Sequence, residues 1–387
     1  MNLVTNKKIA IVGGGPGGLT LTRLLQLQGA DVKVYERDFN KDVRVQGATL
    51  DLHQDSGLKA LEKAGLMDAF KQHYRPGADQ MRITDEQATI FYDQHTEENA
   101  AGFDDEHFRP EIDRGPLRKL LLESLQAGTV VWDSQFVNMQ PMGKGWKLVF
   151  KNGTTALADI VIGADGAHSK IRPYITQMQP FYTGVTAVEG LVYDAATAAP
   201  NIYKLLQGGK IFAFGGAKVL IVSSKGDGSM AFYTSYTTNE NWVTAGGVNF
   251  SDTAQALEWF KKDFAEWDSV WHELFENATT PFMPRPIYCM PLDQSWDALP
   301  NLTLLGDAAH LMPPYAGEGV NMAMQDALEL SDCLLSNDYN DIQSAIAAYE
   351  KQMRTRALAA TQASLENTEW MHEAGAKERM MEMFGVL

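Results

Sequence analysis

The spacing of apolar and polar residues over the first 36 positions predicts a strand, a glycine-rich turn, a helix and a second strand. Residues 9–12 form an uninterrupted apolar run, and residues 19–27 place apolar side chains at helical spacing. Gly29 ends this helix, and the segment DVKVYE at residues 31–36 alternates as a strand does. This order is typical of the first unit of a doubly wound sheet.

A different pattern occupies the middle of the chain. Short β-rich pieces dominate residues 176–290, with two amphipathic helices predicted at Thr253–Phe264 and Val270–Glu276. An apolar strand returns at Asn301, and the chain from Ile342 onward is almost wholly helical. We therefore predict an α/β fold in which a Rossmann-like domain is discontinuous. An inserted α+β domain with a mostly antiparallel sheet interrupts it, and a long C-terminal helix follows.

The predicted domain bounds follow these changes of pattern. The discontinuous domain takes residues 1–175 and 295–340, the inserted domain residues 176–294, and the C-terminal bridging helices residues 341–387. The strand segments near residues 80–110 could instead belong to the inserted domain. We favour a C-terminal helix that packs against both domains, and the alternative is that its Met-rich end lines a ligand entrance.

Composition and charge narrow the classes of function. The net charge is −16 at pH 7 and no Lys/Arg-rich block is present, which argues against nucleic acid binding. No apolar run reaches 18 residues and the N-terminus lacks a signal-peptide pattern, so we expect a cytoplasmic protein without stable membrane insertion. Cys289 and Cys333 lack the spacing of metal ligands, so we predict no metal site. Separately, we expect the protein to be a monomer.

The turn GGGPGG at residues 13–18 fits the G-x-G-x-x-G pattern between a strand and a helix. Gly13 permits a tight turn, Gly15 lets backbone approach a pyrophosphate, and Gly18 lets the helix pack close to the strand. Glu36 ends the second strand, where a carboxylate can accept a hydrogen bond from a ribose hydroxyl. The alternative is a glycine-rich turn without a ligand.

Two later segments also place polar residues directly after apolar strands. In ADIVIGADGAHSKIR, residues 158–172, Asp165 either caps the next helix or holds a loop near a dinucleotide. In GDAAHLMPPYAGEGVN, residues 306–321, Asp307 is placed to bind a sugar-like hydroxyl, and the glycines leave room for a flat ring. For His310 we favour a hydrogen bond that orders the loop over direct proton transfer.

These three motifs, in this order, resemble those of single-component flavoprotein monooxygenases of the para-hydroxybenzoate-hydroxylase type. Within that class, the chain looks most like the tetracycline-inactivating TetX-type enzymes, through GATLDLH at residues 47–53, EIDRGPLRKLLLESL at residues 111–125 and TVVWD at residues 129–133. The resemblance implies bound FAD, NADPH as co-substrate, O2, and oxygen transfer through a flavin C4a-hydroperoxide.

The resemblance also implies roles for individual residues. Glu36 would hold the adenosine ribose, and Arg44 would meet NADPH. Pro314 and Gly317 would border the reacting ring, without a catalytic acid or base assigned. The predicted cofactor-binding residues are Gly13, Gly15, Gly18, Glu36, Arg37, Arg44, Asp51, Arg114, Arg118, Asp165, Asp307, Gly319 and Asn321. For Arg44 and Arg118 the alternative is a surface salt bridge.

The sequence departs from the TetX-type pattern at the positions that would face a substrate. Glu189, Lys210 and Ala231 stand where those enzymes carry Gln, Arg and His, and Ile221 and Tyr315 replace two phenylalanines of their pocket. Lys cannot replace the forked donor of Arg. We therefore expect a monooxygenase that hydroxylates an electron-rich phenol or enol, with tetracycline as one candidate. The alternatives are a flavin oxidoreductase without oxygen insertion and a non-catalytic ligand-binding relative.

Overall fold

The computed structural model describes residues 3–43, 47–96, 102–103, 105, 107–279 and 281–387. The strands in chain order are β1 Lys8–Val12, β2 Asp31–Tyr35, β3 Leu50–Asp51, β4 Met81–Asp85, β5 Ile90–Asp93, β6 Glu111–Ile112, β7 Val130–Val131, β8 Phe136–Met142, β9 Gly145–Phe150, β10 Thr155–Ala158, β11 Ile160–Gly163, β12 Phe181–Val192, β13 Lys210–Gly215, β14 Lys218–Ser224, β15 Met230–Thr237, β16 Met283–Cys289 and β17 Leu302–Leu304.

The helices connect and cover these strands. In chain order they are α1 Pro16–Leu27, α2 Lys59–Lys63, α3 Met67–Lys71, α4 Arg114–Glu123, α5 Ala195–Ala198, α6 Pro200–Leu206, α7 Trp242–Ala245, α8 Thr253–Asp263, α9 His272–Glu276, α10 Asp307–His310, α11 Gly319–Leu335, α12 Ile342–Met371 and α13 Ala376–Met383. Single 3₁₀ turns occur at Gln94–Thr96, Arg172–Tyr174, Ser269–Trp271 and Pro314–Ala316, and a π turn at Gln54–Leu58.

A five-stranded parallel sheet with the order β17-β11-β1-β2-β7 forms the centre of the first layer. Its strands are short and mostly apolar, as expected where helices cover both faces of a parallel sheet, although β2 also carries Asp31 and Lys33. Residues from widely separated parts of the chain, such as Ile9, Ile160 and Leu302, share one buried core. The predicted Rossmann-like fold class is confirmed.

A seven-stranded mixed sheet has the order β16-β12-β15-β14-β13-β4-β5 and is antiparallel except where β13 meets β4. The hairpin β4–β5 comes from residues 81–93, so part of the segment near residues 80–110 joins this sheet. One face packs beneath α5, α6, α8 and α9 in an aromatic-rich core. The opposite face, which we call the inner face, packs against the end of α12 and against α13.

The 30-residue helix α12 contacts both sheets. Asp341 caps its start in a reciprocal capping box with Ser344. Near that end, the Tyr349 hydroxyl donates a hydrogen bond to the Leu304 carbonyl at 2.9 Å, and at the far end Trp370 packs against the inner face. Among the described residues, no helix combines the length and apolarity needed to cross a bilayer.

Candidate functional site

Three turns lie together where β1, β11 and β17 end, because these strands are neighbours in a parallel sheet. We call this region, formed by residues 13–18, 164–172 and 306–321, the carboxyl edge. Ligands of doubly wound sheets bind at this kind of edge. The sequence motifs that were interpreted separately are therefore adjacent in space.

Each glycine of the first turn is needed for a different structural reason. Gly13 has φ +112°, and a Cβ there would lie 2.2 Å from the Ala164 carbonyl oxygen, so this turn packs directly on the β11 turn. A Cβ on Gly18 would lie 2.3 Å from the Gly13 carbonyl oxygen. Within the part of the chain that the structure describes, and apart from its own chain neighbours, no atom lies within 4 Å of a Cβ built on Gly15. Gly15 is therefore the position that leaves backbone open to a ligand, at the start of α1.

Glu36 follows β2 and is 1% exposed. Its carboxylate accepts hydrogen bonds from the backbone N–H groups of Gly14 at 2.6 Å and Asp38 at 3.0 Å. These bonds fix the glycine-rich turn against the end of β2. Arg37, the next residue, is exposed. The predicted contact of Glu36 with a ribose remains a prediction.

The middle turn is ordered by its own side chains. Asp165 accepts from the Ser169 hydroxyl at 2.6 Å and from the Lys170 N–H at 2.7 Å, which orders the turn. The next helical element is the 3₁₀ turn Arg172–Tyr174 with Ile171 as its N-cap, so Asp165 does not cap a helix. Buried Arg172 donates to the carbonyl oxygens of Ala308 and Asp307, both at 2.7 Å. Arg172 therefore ties the second turn to the third. Arg172 is the last residue of the motif ADIVIGADGAHSKIR, but the sequence alone does not indicate that it joins the two turns.

The third turn begins at Gly306, whose φ of 58° and ψ of −145° suit only glycine. Asp307 comes next; burial raises its pKa, and the charges of His310 and Arg114 oppose that shift. His310 is 1% exposed and its Nε2 lies 2.6 Å from Asp326. This geometry supports the loop-ordering role for His310. Asp326 was missed because nothing near it in sequence suggests it.

The end of the third turn contacts β3. The Asn321 side chain donates to the Asp51 carbonyl oxygen and accepts from the His53 N–H, both at 2.9 Å. A Cβ on exposed Gly317, where φ is +70°, would lie 3.4 Å from an Asp51 carboxylate oxygen. Burial acts to raise the pKa of Asp51, but the hydrogen bond from His53 and the charge of Lys210 leave that pKa lowered.

The predicted arginines are placed differently from one another. Arg114 is exposed at the start of α4, beside Gly47, and its charge acts on Asp307. Arg118 is buried and donates at 3.0 Å to both Asp38 and the Lys41 carbonyl oxygen, so in this structure it orders the loop after β2. Arg44 lies outside the described residues.

The predicted substrate residues come together on the inner face. Lys210 and Ala231 are both cross-strand neighbours of Ser223, and Ile221 and Glu189 are both neighbours of Tyr233. Since side chains alternate along each strand, these rows share one face. Tyr315 from the third turn packs against the same face.

Sequence reasoning missed the polar partners on the inner face. Glu189 accepts from Arg285 at 2.5 Å and from the Tyr233 hydroxyl at 3.2 Å, and that hydroxyl accepts from the Ala48 N–H at 3.1 Å. Burial, with a contribution from Glu189, raises the pKa of Tyr233 to about 12. Strand alternation from Ala231 would have identified Tyr233.

A second polar contact joins the inner face to the β3–β6 pair, whose Asp51 is bound by Asn321 of the carboxyl edge. The Lys210 ammonium pairs with the buried carboxylate of Glu111, which lies opposite Asp51 in the β3–β6 pair. Burial raises the pKa of Glu111 even though Lys210 opposes that shift. Glu111 is the first residue of the segment EIDRGPLRKLLLESL, but its pairing with Lys210 could not be inferred because the two residues are 99 positions apart.

The residues of the carboxyl edge, with Glu36 and Arg114 beside it, fit FAD. Neither the start of α1 nor that of α11 has a side-chain cap, so backbone N–H groups there are available to anionic or electron-rich parts of a ligand. Carboxylates at Glu36 and Asp307 suit ribose and ribityl hydroxyls. Exposed Arg114 supplies positive charge in an otherwise acidic protein.

Comparison with known proteins supports this fit. The profile of the family described as "FAD binding domain" matches residues 6–364. Monooxygenase asqM of Emericella nidulans is 29% identical, over 90% of this chain and 92% of that protein. The 3-amino-4-hydroxybenzoate 2-monooxygenase PtmB3 of Streptomyces platensis is 28% identical, over 89% and 83% respectively.

The structural comparison extends the match to the whole fold. The crystal structure of tetracycline destructase Tet(55) superposes with a TM-score of 0.76, covering 98% of this chain and 95% of that chain, at 18% identity. At this sequence identity, the match shows a shared fold and gives no information about the substrate. The resemblance to flavoprotein monooxygenases is confirmed at the level of the family. The chain belongs to the FAD binding domain family and is a flavin-dependent monooxygenase.

Proposed function

We propose that this monooxygenase uses FAD, NAD(P)H and O2 to hydroxylate an electron-rich phenol or enol. The observation that carries the proposal is the contact between two regions. The third turn of the carboxyl edge places Tyr315 on the inner face, and its Asn321 binds the Asp51 backbone opposite Glu111, the partner of Lys210. Tyr233 of the inner face accepts a hydrogen bond from the Ala48 N–H, three residues before Asp51. A flavin held by the first region would therefore present its ring to a substrate held by the second.

The cofactor would lie along the three turns. Backbone at Gly15 and the start of α1 would hold the pyrophosphate, Glu36 a ribose hydroxyl, and Asp307 a ribityl hydroxyl. Arg118 would act only by ordering the loop after β2. Asp165 would act by ordering the middle turn through Ser169 and Lys170. The remaining predicted contacts are those of Gly13, Gly18, Arg37, Asp51, Arg114, Gly319 and Asn321.

The environment of the flavin ring would come from the third turn. Exposed Pro314 and Gly317 would border the ring, and the start of α11 would face its pyrimidine end. A helix N-terminus stabilises negative charge, which a flavin ring gains on reduction. The reduced flavin supplies the activation of O2. Arg44 remains the predicted contact for NADPH.

The substrate would lie on the inner face. Glu189 and Lys210 supply polarity at two places, while Ile221, Ala231 and Tyr315 shape the surface between them. A phenolic or enolic molecule suits such a surface. The compounds in the names of PtmB3 and of the tetracycline destructases are two kinds of candidate substrate. Tetracycline is one of them, although Lys210 and Ala231 change the polar groups that it would meet.

The test is NADPH oxidation by the FAD-loaded protein in air, with a panel of phenols and tetracycline, while hydrogen peroxide and hydroxylated product are measured separately. The expected result is substrate-stimulated NADPH use with product that carries one oxygen atom from O2. NADPH use that yields only a reduced product would contradict oxygen insertion. Stimulation by simple phenols but not by tetracycline would assign the inner face to smaller substrates.

A further inference from the structure

A buried carboxylate on α11 connects three parts of the molecule. Asp326 has no exposed surface. Its Oδ2 accepts from the Gly306 N–H at 2.8 Å and faces Nε2 of His310 at 2.6 Å, and its Oδ1 accepts from Arg356 at 2.5 Å. These partners lie at the start of the third turn, within it, and on the C-terminal helix α12. Asp326 has no part in the proposed chemistry, so its role follows from the three groups that it binds.

The backbone at Gly306 is where the direction of the third turn is set. Its φ and ψ lie outside the regions that other residues adopt, and a Cβ there would come 2.9 Å from the Ala323 side chain. Asp326 accepts the N–H of this residue, so it fixes the direction in which the chain leaves β17. Asp307 follows immediately, and the position of its carboxylate therefore depends on the same bond.

His310 and Arg356 together favour the charged form of Asp326 in this buried place. Burial alone would raise the pKa of Asp326, but the charge and hydrogen bond of His310 and the charge of Arg356 leave that pKa below its usual value. The second arm of Arg356 donates to Glu329 at 2.5 Å, one turn further along α11. The guanidinium therefore spans two carboxylates in a forked arrangement that Lys could not reproduce.

We propose that Arg356 is a positioning residue of the cofactor site, which acts through Asp326 to hold the Gly306–Asp307 turn where it meets the flavin. The proposal rests on the proposed FAD site. It assigns the middle of α12 to that site, in addition to the role of this helix as a link between the two sheets. The effect of Arg356 on the cofactor is indirect, so it should change affinity and flavin electronics without contact.

The test compares Arg356→Met with Arg354→Met. Arg354 lies on the same helix and also has an acidic partner, Glu350 at 3.6 Å, but that pair leads to Thr303 within β17 and not to the turn. For each variant, FAD is removed, the FAD dissociation constant is measured by quenching of flavin fluorescence, and the reduction potential of bound flavin is measured by dye equilibration. Unfolding of the FAD-free protein in urea is followed in parallel.

We expect Arg356→Met to raise the FAD dissociation constant about tenfold or more and to shift the flavin potential, while Arg354→Met changes neither. Arg356→Lys should lie between wild type and Arg356→Met. Asp326→Asn should repeat the loss, and these two milder variants decide the matter where Arg356→Met does not fold. Lower stability of the FAD-free protein with unchanged FAD affinity and potential would overturn the proposal. Failure of the wild type to bind FAD would instead overturn the proposed function.

Discussion

At the carboxyl edge, three short contiguous segments supply most of the predicted contacts, whereas on the inner face Glu189, Lys210, Tyr233 and Arg285 come from four different strands. The carboxyl edge depends on backbone geometry, as at Gly13 and Gly306, where side chains are excluded. The inner face depends on side-chain pairs such as Glu189 with Arg285. The first region can therefore stay constant among relatives while the second is altered, and the two should respond to mutation in different ways.

The largest expected effect is at the first glycine-rich turn. Gly13→Ala would place Cβ against the Ala164 carbonyl with an unfavourable φ, so we expect the free energy of unfolding to fall by about 3 kcal/mol. Gly15→Ala meets no atom and should change it by less than about 1 kcal/mol while FAD affinity falls about tenfold. Urea unfolding and FAD titration measure both. Equal effects of the two substitutions on stability would contradict the distinction.

Asp307→Asn should give the largest effect on FAD binding and leave the fold intact. Loss of a charged acceptor for a ribityl hydroxyl should weaken FAD binding about 10- to 100-fold. Asp165→Asn is the matched control, because the Asp165 carboxylate is already occupied by Ser169 and Lys170. It should mainly cost stability, about 1 kcal/mol. A larger FAD loss for Asp165→Asn than for Asp307→Asn would reverse the roles assigned to the two turns.

Lys210→Met should make stability depend on pH. It leaves Glu111 buried without its cation, and we expect a cost of about 3 kcal/mol at pH 8. Since burial raises the pKa of folded Glu111 above its unfolded value, the folded state binds this proton more tightly, and the cost should shrink at pH 5. Urea unfolding at the two pH values, with wild type in parallel, measures this. A cost that grows on acidification would show that the Glu111 carboxylate is stabilised by other groups.

Tyr233→Phe should give the smallest effect. The Ala48 N–H and Glu189 each lose a partner, for a cost of about 1 kcal/mol in the free energy of unfolding. FAD affinity should stay within about twofold, because the hydroxyl serves the inner face. A loss of FAD affinity as large as that of Asp307→Asn would mean that the two regions cannot be treated separately.

The contrast between the carboxyl edge and the inner face also explains which features the sequence could predict. The turns at residues 13–18 and 306–321 follow apolar strands directly, so their chemistry and place were predictable from local pattern. Residues such as Glu111, Arg285 and Arg356 act through partners 99, 96 and 30 positions away, and no local pattern encodes such pairs. Glu189, Lys210, Ile221 and Ala231 were placed only through the family resemblance, and the strand register brings them to one face. Their contact with a substrate remains a prediction.

The most direct test of the account is a titration of the FAD-free protein with FAD, followed by the quenching of flavin fluorescence and the change in the flavin absorption spectrum. The account predicts saturable binding of one FAD per chain, with a spectrum shifted from that of free FAD because the ring would lie beside Pro314 and Gly317. A protein that leaves the fluorescence and the spectrum of added FAD unchanged would contradict the account, since the carboxyl edge would then not be a flavin site.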